Sequence, residues 1–363
     1  MTQQEFIPGQ GMENIESGDV TWQSPSNIAL VKYWGKKENQ IPANPSISFT
    51  LDHCKSTTTL KFSKKTKASE DFDFSFYFKG SKKEDFKPKI QKFLERIEAY
   101  CPYLKDYEFE IHSENSFPHS SGIASSASGM SALALCIMDL ERKLYPGMEE
   151  GFFNRKASFL ARLGSGSASR SIEGPLVVWG EHTEIKETSD LYGVRLPYQI
   201  HEIFKDYRDT ILLVDKGEKK VSSSVGHNLM HGHPFAEKRF EQASRNLERL
   251  IPVLRSGNLE EFVRIVESEA LTLHAMMMSS EPYFILMKPN TLEIINKIWA
   301  YRELTGIPVC FTLDAGANVH LLYPAADETK VLEFIKNELV AYCENGHYIC
   351  DLVGSGAKKI DNG

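Results

Sequence analysis

The densest chemistry in the chain is a pair of lysines set four residues apart in an aromatic frame, Lys32-Tyr33-Trp34-Gly35-Lys36. An ammonium is a compact point charge suited to phosphate or carboxylate. The pair follows a strand-like run and precedes an Asn/Pro/Ser turn that returns as a second strand, all within residues 24–51. Taken alone it reads equally well as solvated lysines beside core aromatics. A second candidate is the run at 117–129, where Gly122 and Ala124 let backbone amides approach an anion and Ser120, Ser121, Ser125 and Ser126 offer hydroxyls. The helix expected to start there adds unpaired N–H groups and a favourable dipole; the alternative is a serine-rich cap of a core helix. Neither a G-x-x-x-x-G-K-[ST] loop nor a G-x-G-x-x-G fingerprint occurs.

Two further carriers of charge stand in small-residue turns. Residues 164–171 end in Arg170, whose guanidinium can fork onto a carboxylate or phosphate, although a flexible linker has the same composition. Asp314 precedes Ala315-Gly316 at an expected strand end. From there a carboxylate can project into a cleft as a general base or orient a hydroxyl, or simply cap its own turn. His227, His231 and His233 have H-x3-H-x-H spacing, but Gly232 and Pro234 break them into a loop and no H-E-x-x-H accompanies them, which argues against zinc.

The elements that must position these groups follow from pattern. Residues 126–145 are apolar on nearly every face, as a helix at a domain centre would be. Helical patterns recur at 235–254, 258–278 and 291–305, and a helix is expected after Asp327 as N-cap. Strand signals lie around 174–180, 210–217, 308–314, 318–324 and 347–354. Strands and helices mix without strict alternation, which predicts an α+β fold. The polar start, residues 1–19, reads as a poorly ordered tail, and the lysine-rich, phenylalanine-interleaved stretch 61–92 as a solvated β-hairpin. A boundary near 205 divides the remainder into domains at 20–205 and 206–363.

Bulk properties narrow the function. With 363 residues the chain can bury a substantial core, and a formal charge of -7 argues against a general nucleic-acid binder while leaving room for a focused basic site. No stretch approaches the roughly 18 apolar residues of a membrane span, and the start lacks a secretory pattern, so a soluble, cytosolic protein is expected. Six scattered cysteines without a C-x-x-C suit reduced thiols.

Together, the NIALVKYWGK run, the loop at 117–129, GSGSASRS and LDAGAN stand in the order and rough spacing of one family. The chain resembles the diphosphomevalonate decarboxylase family of the GHMP kinase superfamily across nearly all of residues 22–356. That resemblance implies a two-domain α+β GHMP-kinase-like fold with the active site in the interdomain cleft, and a homodimer. It implies ATP-dependent decarboxylation of mevalonate 5-diphosphate to isopentenyl diphosphate, with Asp314, Lys36 and Arg170 as catalytic residues. Lys32, Tyr33, Trp34, Ser167, Ser169, Arg170, Ser222 and Ser223 would bind substrate. Ser120, Ser121, Gly122, Ala124, Ser125 and Ser126 would bind ATP, and Mg2+ would come mainly through the nucleotide with Ser125 as a candidate ligand. The FDFSFYFKG run is the candidate for the adenine side.

The chain departs from the family pattern at several points. Ala317 stands where a proline is common, Gly354-Ser-Gly-Ala357 replaces a Gly-Pro-Gly-Pro-like turn, His119-Ser120-Ser121 occupies the phosphate loop, and the sequence after Ser222 and Ser223 is unfamiliar. A kinase of mevalonate, a relative acting on its monophosphate, and a non-catalytic metabolite-binding homologue remain open alternatives at this stage.

Overall fold

The computed structural model describes residues 1–361 other than 10, 68, 119–122, 216 and 218–222; the side chains at 223 and 224 also stand outside the description. Two long strands, β1 (Ser17–Val31) and β2 (Ser46–Lys64), pair antiparallel and found the first half. Along 54–62 of β2 every second side chain is buried, from Cys54 to Phe62, the period of a sheet with one face on a core. There follow β3 (Asp73–Phe78), β4 (Ser81–Lys82), α1 (Lys87–Ile97), β5 (Tyr107–Asn115), α2 (Ser125–Leu144), α3 (Glu150–Gly164), β6 (Leu176–Trp179) and β7 (Val194–Arg195). The second half holds β8 (Arg208–Leu212), α4 (Ser223–Asn228), α5 (Ala236–Ser256), α6 (Leu259–Met278), α7 (Pro289–Thr305), β9 (Cys310–Thr312), β10 (Val319–Tyr323), α8 (Glu328–Phe334), β11 (Tyr348–Leu352) and β12 (Lys358–Ile360).

Among the described residues these strands make an eight-stranded sheet, ordered β12-β1-β2-β5-β3-β4 with β6 on β2 and β7 on β6, and a four-stranded sheet ordered β11-β8-β10-β9. The architecture is α+β with two lobes, as expected. The last strand crosses back to pair with β1, Trp22 opposite Lys359, so the chain end belongs to the first sheet. The lobes are joined through Asp351 on β11, whose buried carboxylate accepts the backbone N–H groups of Asp52, His53 and Cys54 at 2.7–2.9 Å. Thr50 and Gly354 extend that seam with a backbone bond of 2.8 Å.

Two expectations are corrected. Residues 1–19 are not a loose tail: Phe6 is fully buried, stacked on Phe159 at 4.5 Å, and β1 already begins at Ser17. The stretch 61–92 is not one hairpin. Lys61 to Lys64 finish β2, β3 and β4 form a short hairpin, β3 lies parallel to β5, and the stretch ends in α1. Its apolar residues Ile90, Phe93, Leu94 and Ile97 are the buried stripe of that helix. GSGSASRS, for which a linker was the alternative reading, forms a largely buried 3-10 turn, Gly166–Ser171, directly after α3.

The helix α2 is buried on nearly every face, as its composition predicts, and carries two carboxylates inward, Asp139 and Glu141. Glu141 receives Lys156 of α3 through both oxygens at 2.6 and 2.7 Å and the Tyr103 hydroxyl at 3.0 Å, with both charged side chains almost wholly buried. Removing one partner of such a pair strands the other in a medium of low polarity, at a cost of about 3–5 kcal/mol. Lys156→Met is therefore expected to lower the unfolding free energy measured in urea by that amount, and Lys156→Met combined with Glu141→Leu to recover most of it. Equal stability of the single and double variants would contradict this.

Candidate active site

At the end of β1 the chain turns sharply through Lys32 to Lys36. Gly35 has φ +97, and a Cβ there would stand 2.8 Å from the Phe240 ring, so the turn requires glycine on both counts. The turn is held from beneath by Glu269 of α6, which is fully buried. Its carboxylate accepts the Lys32 N–H at 2.9 Å, both terminal nitrogens of Arg239 at 3.0 and 2.5 Å, and the Asn246 amide at 2.6 Å. The Lys32 carbonyl in turn accepts from Asn44 at 2.9 Å and Arg239 at 3.3 Å. Both polar groups of one backbone residue are thus fixed by a desolvated ion pair.

The reactive groups come from both lobes. Lys32, 2% exposed, directs its ammonium to Asp314 Oδ1 at 3.3 Å, and Asp314 is the more open partner at 28%. Burial lowers the Lys32 pKa, and the Asp314 carboxylate opposes that shift. His274 of α6 donates from Nε2 to the Asp314 carbonyl at 3.2 Å, fixing the backbone that carries the carboxylate. Arg170 is seated by Ser48 on Nε at 2.6 Å and Ser46 on Nη1 at 2.5 Å, two residues that share one face of β2 by the strand's period of two. Its Nη2 meets no described residue. Burial lowers the Arg170 pKa to about 10, with the charge of Asp314 opposing, so the group remains a cation at neutral pH.

Tyr33 fills the space between these groups, its ring 4.6 Å from Trp179 and 4.2 Å from His227. A Cβ at Gly166 would come within 2.8 Å of the Tyr33 hydroxyl, so the glycine of the 3-10 turn permits that approach. Burial raises the Tyr33 pKa, keeping it a neutral phenol. Lys36, half-buried, has its pKa lowered by burial and then by Arg96 and Lys92 of α1. Lys89, Lys92 and Arg96 recur at helical spacing along α1, so the lysine-rich stretch that resembled a solvated hairpin supplies cations to the cleft.

Beside this cationic mouth lies an apolar pocket lined by Phe76, Phe78, Phe86, Lys89, Ser125 and Ser126, among others. Ala124 precedes α2 in the left-handed region, φ +43, and no side chain caps the helix. The Ala127 N–H bonds the Ala124 carbonyl at 2.7 Å, while the amides of Ser125 and Ser126 meet no acceptor among the described residues and can take an external one, beside the Ser125 hydroxyl and the exposed Ser126. Ser120, Ser121, Gly122 and Ser222 lie outside the described residues, as does the side chain of Ser223.

Not every expected substrate contact faces the cleft. Trp34 is 3% exposed and packs with Met230, Leu273 and Met276 as core, because the turn at Gly35 rotates it away from Tyr33. Ser169 is buried and its hydroxyl donates to Gly166 O at 2.8 Å, shaping its own turn instead of meeting a ligand. Ser167, half-buried, offers its carbonyl to Asn27 at 3.1 Å. The three histidines do not converge: His227 Nδ1 accepts from Gly35 N–H at 3.0 Å, His233 bonds the Met276 carbonyl at 3.1 Å, and His231 is exposed. Glu269, Arg239 and His274 are residues of this cleft that no motif announced, their only signal being polar side chains within helical patterns; His227 stood out only through its histidine spacing.

Two of these imidazoles give a pH prediction. Burial holds His274 down to about 4 and His227 to about 3, against an unfolded value near 6.5. Below 6.5 the unfolded chain binds protons that the folded chain refuses, so stability falls as pH drops from about 6.5 towards 4. His274 alone accounts for about 3 kcal/mol of that loss. Urea titrations at pH 7 and 4.5 should show His274→Gln losing less stability on acidification than the parent protein; an equal loss would contradict it.

The chain matches two family models, the diphosphomevalonate decarboxylase-like N-terminal domain over residues 24–191 and the mevalonate 5-diphosphate decarboxylase C-terminal domain over 210–355. A diphosphomevalonate decarboxylase of Ganoderma lucidum is 29% identical over 339 residues, covering 87% of this chain and 81% of that protein. The crystal structure of mevalonate diphosphate decarboxylase from Staphylococcus aureus superposes with a TM-score of 0.80 at 27% identity, over 95% of this chain and 98% of that one. A solved complex of MDDEF with MVAPP, AMPPCP and magnesium superposes at 0.79 with 25% identity, over 95% and 100%. The chain belongs to the diphosphomevalonate decarboxylase family.

Proposed function

We propose that this chain catalyses the ATP-dependent decarboxylation of mevalonate 5-diphosphate, giving isopentenyl diphosphate, ADP, phosphate and CO2. The observation that carries the reading is the meeting of the Lys32–Asp314 pair with the Arg170 fork in one cleft, beside an uncapped helix N-terminus and an apolar pocket. The MVAPP, AMPPCP and magnesium held by the related structure support it.

The chemistry explains why these groups are needed. A 3-hydroxy acid has no ketone to accept electrons from a departing carboxylate, and a tertiary hydroxide is a poor leaving group. The 3-hydroxyl therefore attacks the terminal phosphorus of ATP, losing its proton to Asp314, as the bond from that phosphorus to the bridging oxygen breaks and its electron pair leaves with ADP. Lys32 donates to Asp314 Oδ1 at 3.3 Å and aims the carboxylate. Cleavage of the C3–O bond carries its electron pair to phosphate; the C1–C2 bond then supplies the electrons of the new C2=C3 double bond as CO2 leaves. Arg170 holds the carboxylate through Nη2, which no described residue uses, until positive character builds at C3. Lys36, backed by Lys92 and Arg96, binds the diphosphate end.

The adenine lies against Phe76 and Phe78, and the nucleotide phosphates lie at the start of α2 with Ser125 and Ser126. Among the described residues no group of three or more His, Cys, Asp or Glu could hold a metal ion. Magnesium, present with AMPPCP in the related complex, would sit on the nucleotide phosphates, with the Ser125 hydroxyl as a candidate ligand, and would offset the negative charge of transfer. All six cysteines are unpaired, five of them buried, and among the described residues no helix is long and apolar enough to cross a membrane. The free thiols support placing the protein in the cytoplasm.

Substrate choice tests the reading. With ATP and Mg2+, mevalonate, its 5-phosphate and its 5-diphosphate are compared for ADP and CO2. The diphosphate is expected to lead by at least about 100-fold in kcat/KM, since each lost charge-assisted contact costs about 1.5–3 kcal/mol. ADP without CO2 from any of them would make the chain a kinase on this fold.

A further inference from the structure

We propose that His227 is a substrate-binding residue, its Nε2–H donating to an anionic oxygen of the bound substrate between Lys36 and Arg170. The inference rests on the functional reading above and adds to it a residue that neither the motifs nor the family resemblance supplied. The imidazole is fixed on three sides. Nδ1 accepts the Gly35 N–H at 3.0 Å, and the ring centroid lies 4.2 Å from Tyr33 and 4.7 Å from Trp34. With Nδ1 occupied as an acceptor, the proton of the neutral ring sits on Nε2. The residue is 8% exposed, and Nε2 meets no partner among the described residues.

The Nε2–H has no hydrogen-bond partner among the described residues and is a directed donor for a ligand, and the surroundings define which acceptor suits it. Burial and the charges of Lys36 and Arg170 keep the ring neutral, so it adds a directed donor without adding a third positive charge. Those two cations favour a negatively charged acceptor. Phosphate and carboxylate oxygens are the groups the proposed substrate brings to this place. His227 also couples the two halves of the site: it sits on α4, yet it grips the backbone of the turn that presents Lys32, Tyr33 and Lys36.

Two substitutions separate a ligand contact from a structural one. His227→Asn keeps an oxygen near the Nδ1 position and loses the Nε2 donor; His227→Gln places an amide N–H near Nε2 and loses the acceptor for Gly35. Affinity is measured by calorimetry without nucleotide, for mevalonate 5-diphosphate and for inorganic pyrophosphate, with thermal unfolding alongside. The Asn variant is expected to bind mevalonate 5-diphosphate 10- to 100-fold more weakly at nearly unchanged stability, while the Gln variant stays within about 3-fold of the parent, given the strength of hydrogen bonds to charged groups. In the parent, the 15N signal of His227 Nε2 should shift when ligand binds.

An Asn variant that binds both probes like the parent, or a Gln variant that is the weaker of the two, overturns the proposal and leaves His227 as a support for Gly35. If the parent ignores mevalonate 5-diphosphate yet binds pyrophosphate, and Asn weakens that binding, the anion contact stands and the substrate assignment falls. A parent that binds neither probe overturns both.

Discussion

Asp314→Asn is expected to lower kcat by about 10³-fold, within the 10²–10⁴ range of a lost general base, with the KM for mevalonate 5-diphosphate changed by no more than a few-fold. Asn has the shape of Asp and can still accept from Lys32, but it cannot take a proton. The carboxylate is the open member of its pair, 28% exposed against 2% for Lys32, which is where a group that must reach substrate belongs. Because His274 fixes the Asp314 carbonyl independently, the variant should keep its backbone geometry, and the loss should appear in turnover. Steady-state release of ADP and CO2 measures it. A normal kcat would remove Asp314 from the chemistry and leave it as the counter-ion of Lys32.

Glu269→Gln is expected to cost both stability and activity, although Glu269 touches no substrate in this reading. The substitution retains size but leaves the Arg239 charge buried without its partner, a penalty of about 3–5 kcal/mol. It also weakens the acceptor for the Lys32 N–H. Urea denaturation should show the loss of stability, and kcat should fall about 10-fold or more as Lys32 drifts from Asp314, since small misplacements of reacting groups are costly. Replacing the pair together, Glu269→Leu with Arg239→Met, should restore stability but not kcat. Recovery of both would mean that the pair supports only the fold, and stability unchanged in Glu269→Gln would contradict the buried ion pair itself.

The contrast between Asp314 and Glu269 marks what the sequence makes legible. Lys32, Tyr33, Lys36, Arg170 and Asp314 stand in short, glycine-punctuated turns whose residue types suit ligand chemistry, and the structure brings them to one cleft. Glu269 lies 237 residues from the Lys32 amide it holds, inside a regular helix where a glutamate ordinarily faces water. Long-range pairing of that kind leaves no local signature. Ser46 and Ser48 read as turn and strand residues until the strand's period puts both under Arg170. The helix α1 was hidden because three lysines and Arg96 match in number the four residues of its apolar stripe, and the parallel pairing of β3 with β5 is a property of topology that neither strand's own residues encode. Phe6, with only Ile7 beside it as an apolar neighbour, gave no periodic signal, yet its aromatic socket orders the chain start. Trp34 was placed at the substrate by proximity to Tyr33 and Lys36; one glycine turn is enough to send it to the core.

The central claim is that the substrate's 3-hydroxyl is phosphorylated before carbon dioxide leaves. Mevalonate 5-diphosphate carrying 18O at that hydroxyl, incubated with ATP and Mg2+, tests it directly by mass analysis of the products. The account predicts one 18O in each molecule of inorganic phosphate released, with ADP and CO2 formed in equal amounts. Unlabelled phosphate, with the 18O appearing in water, would contradict it.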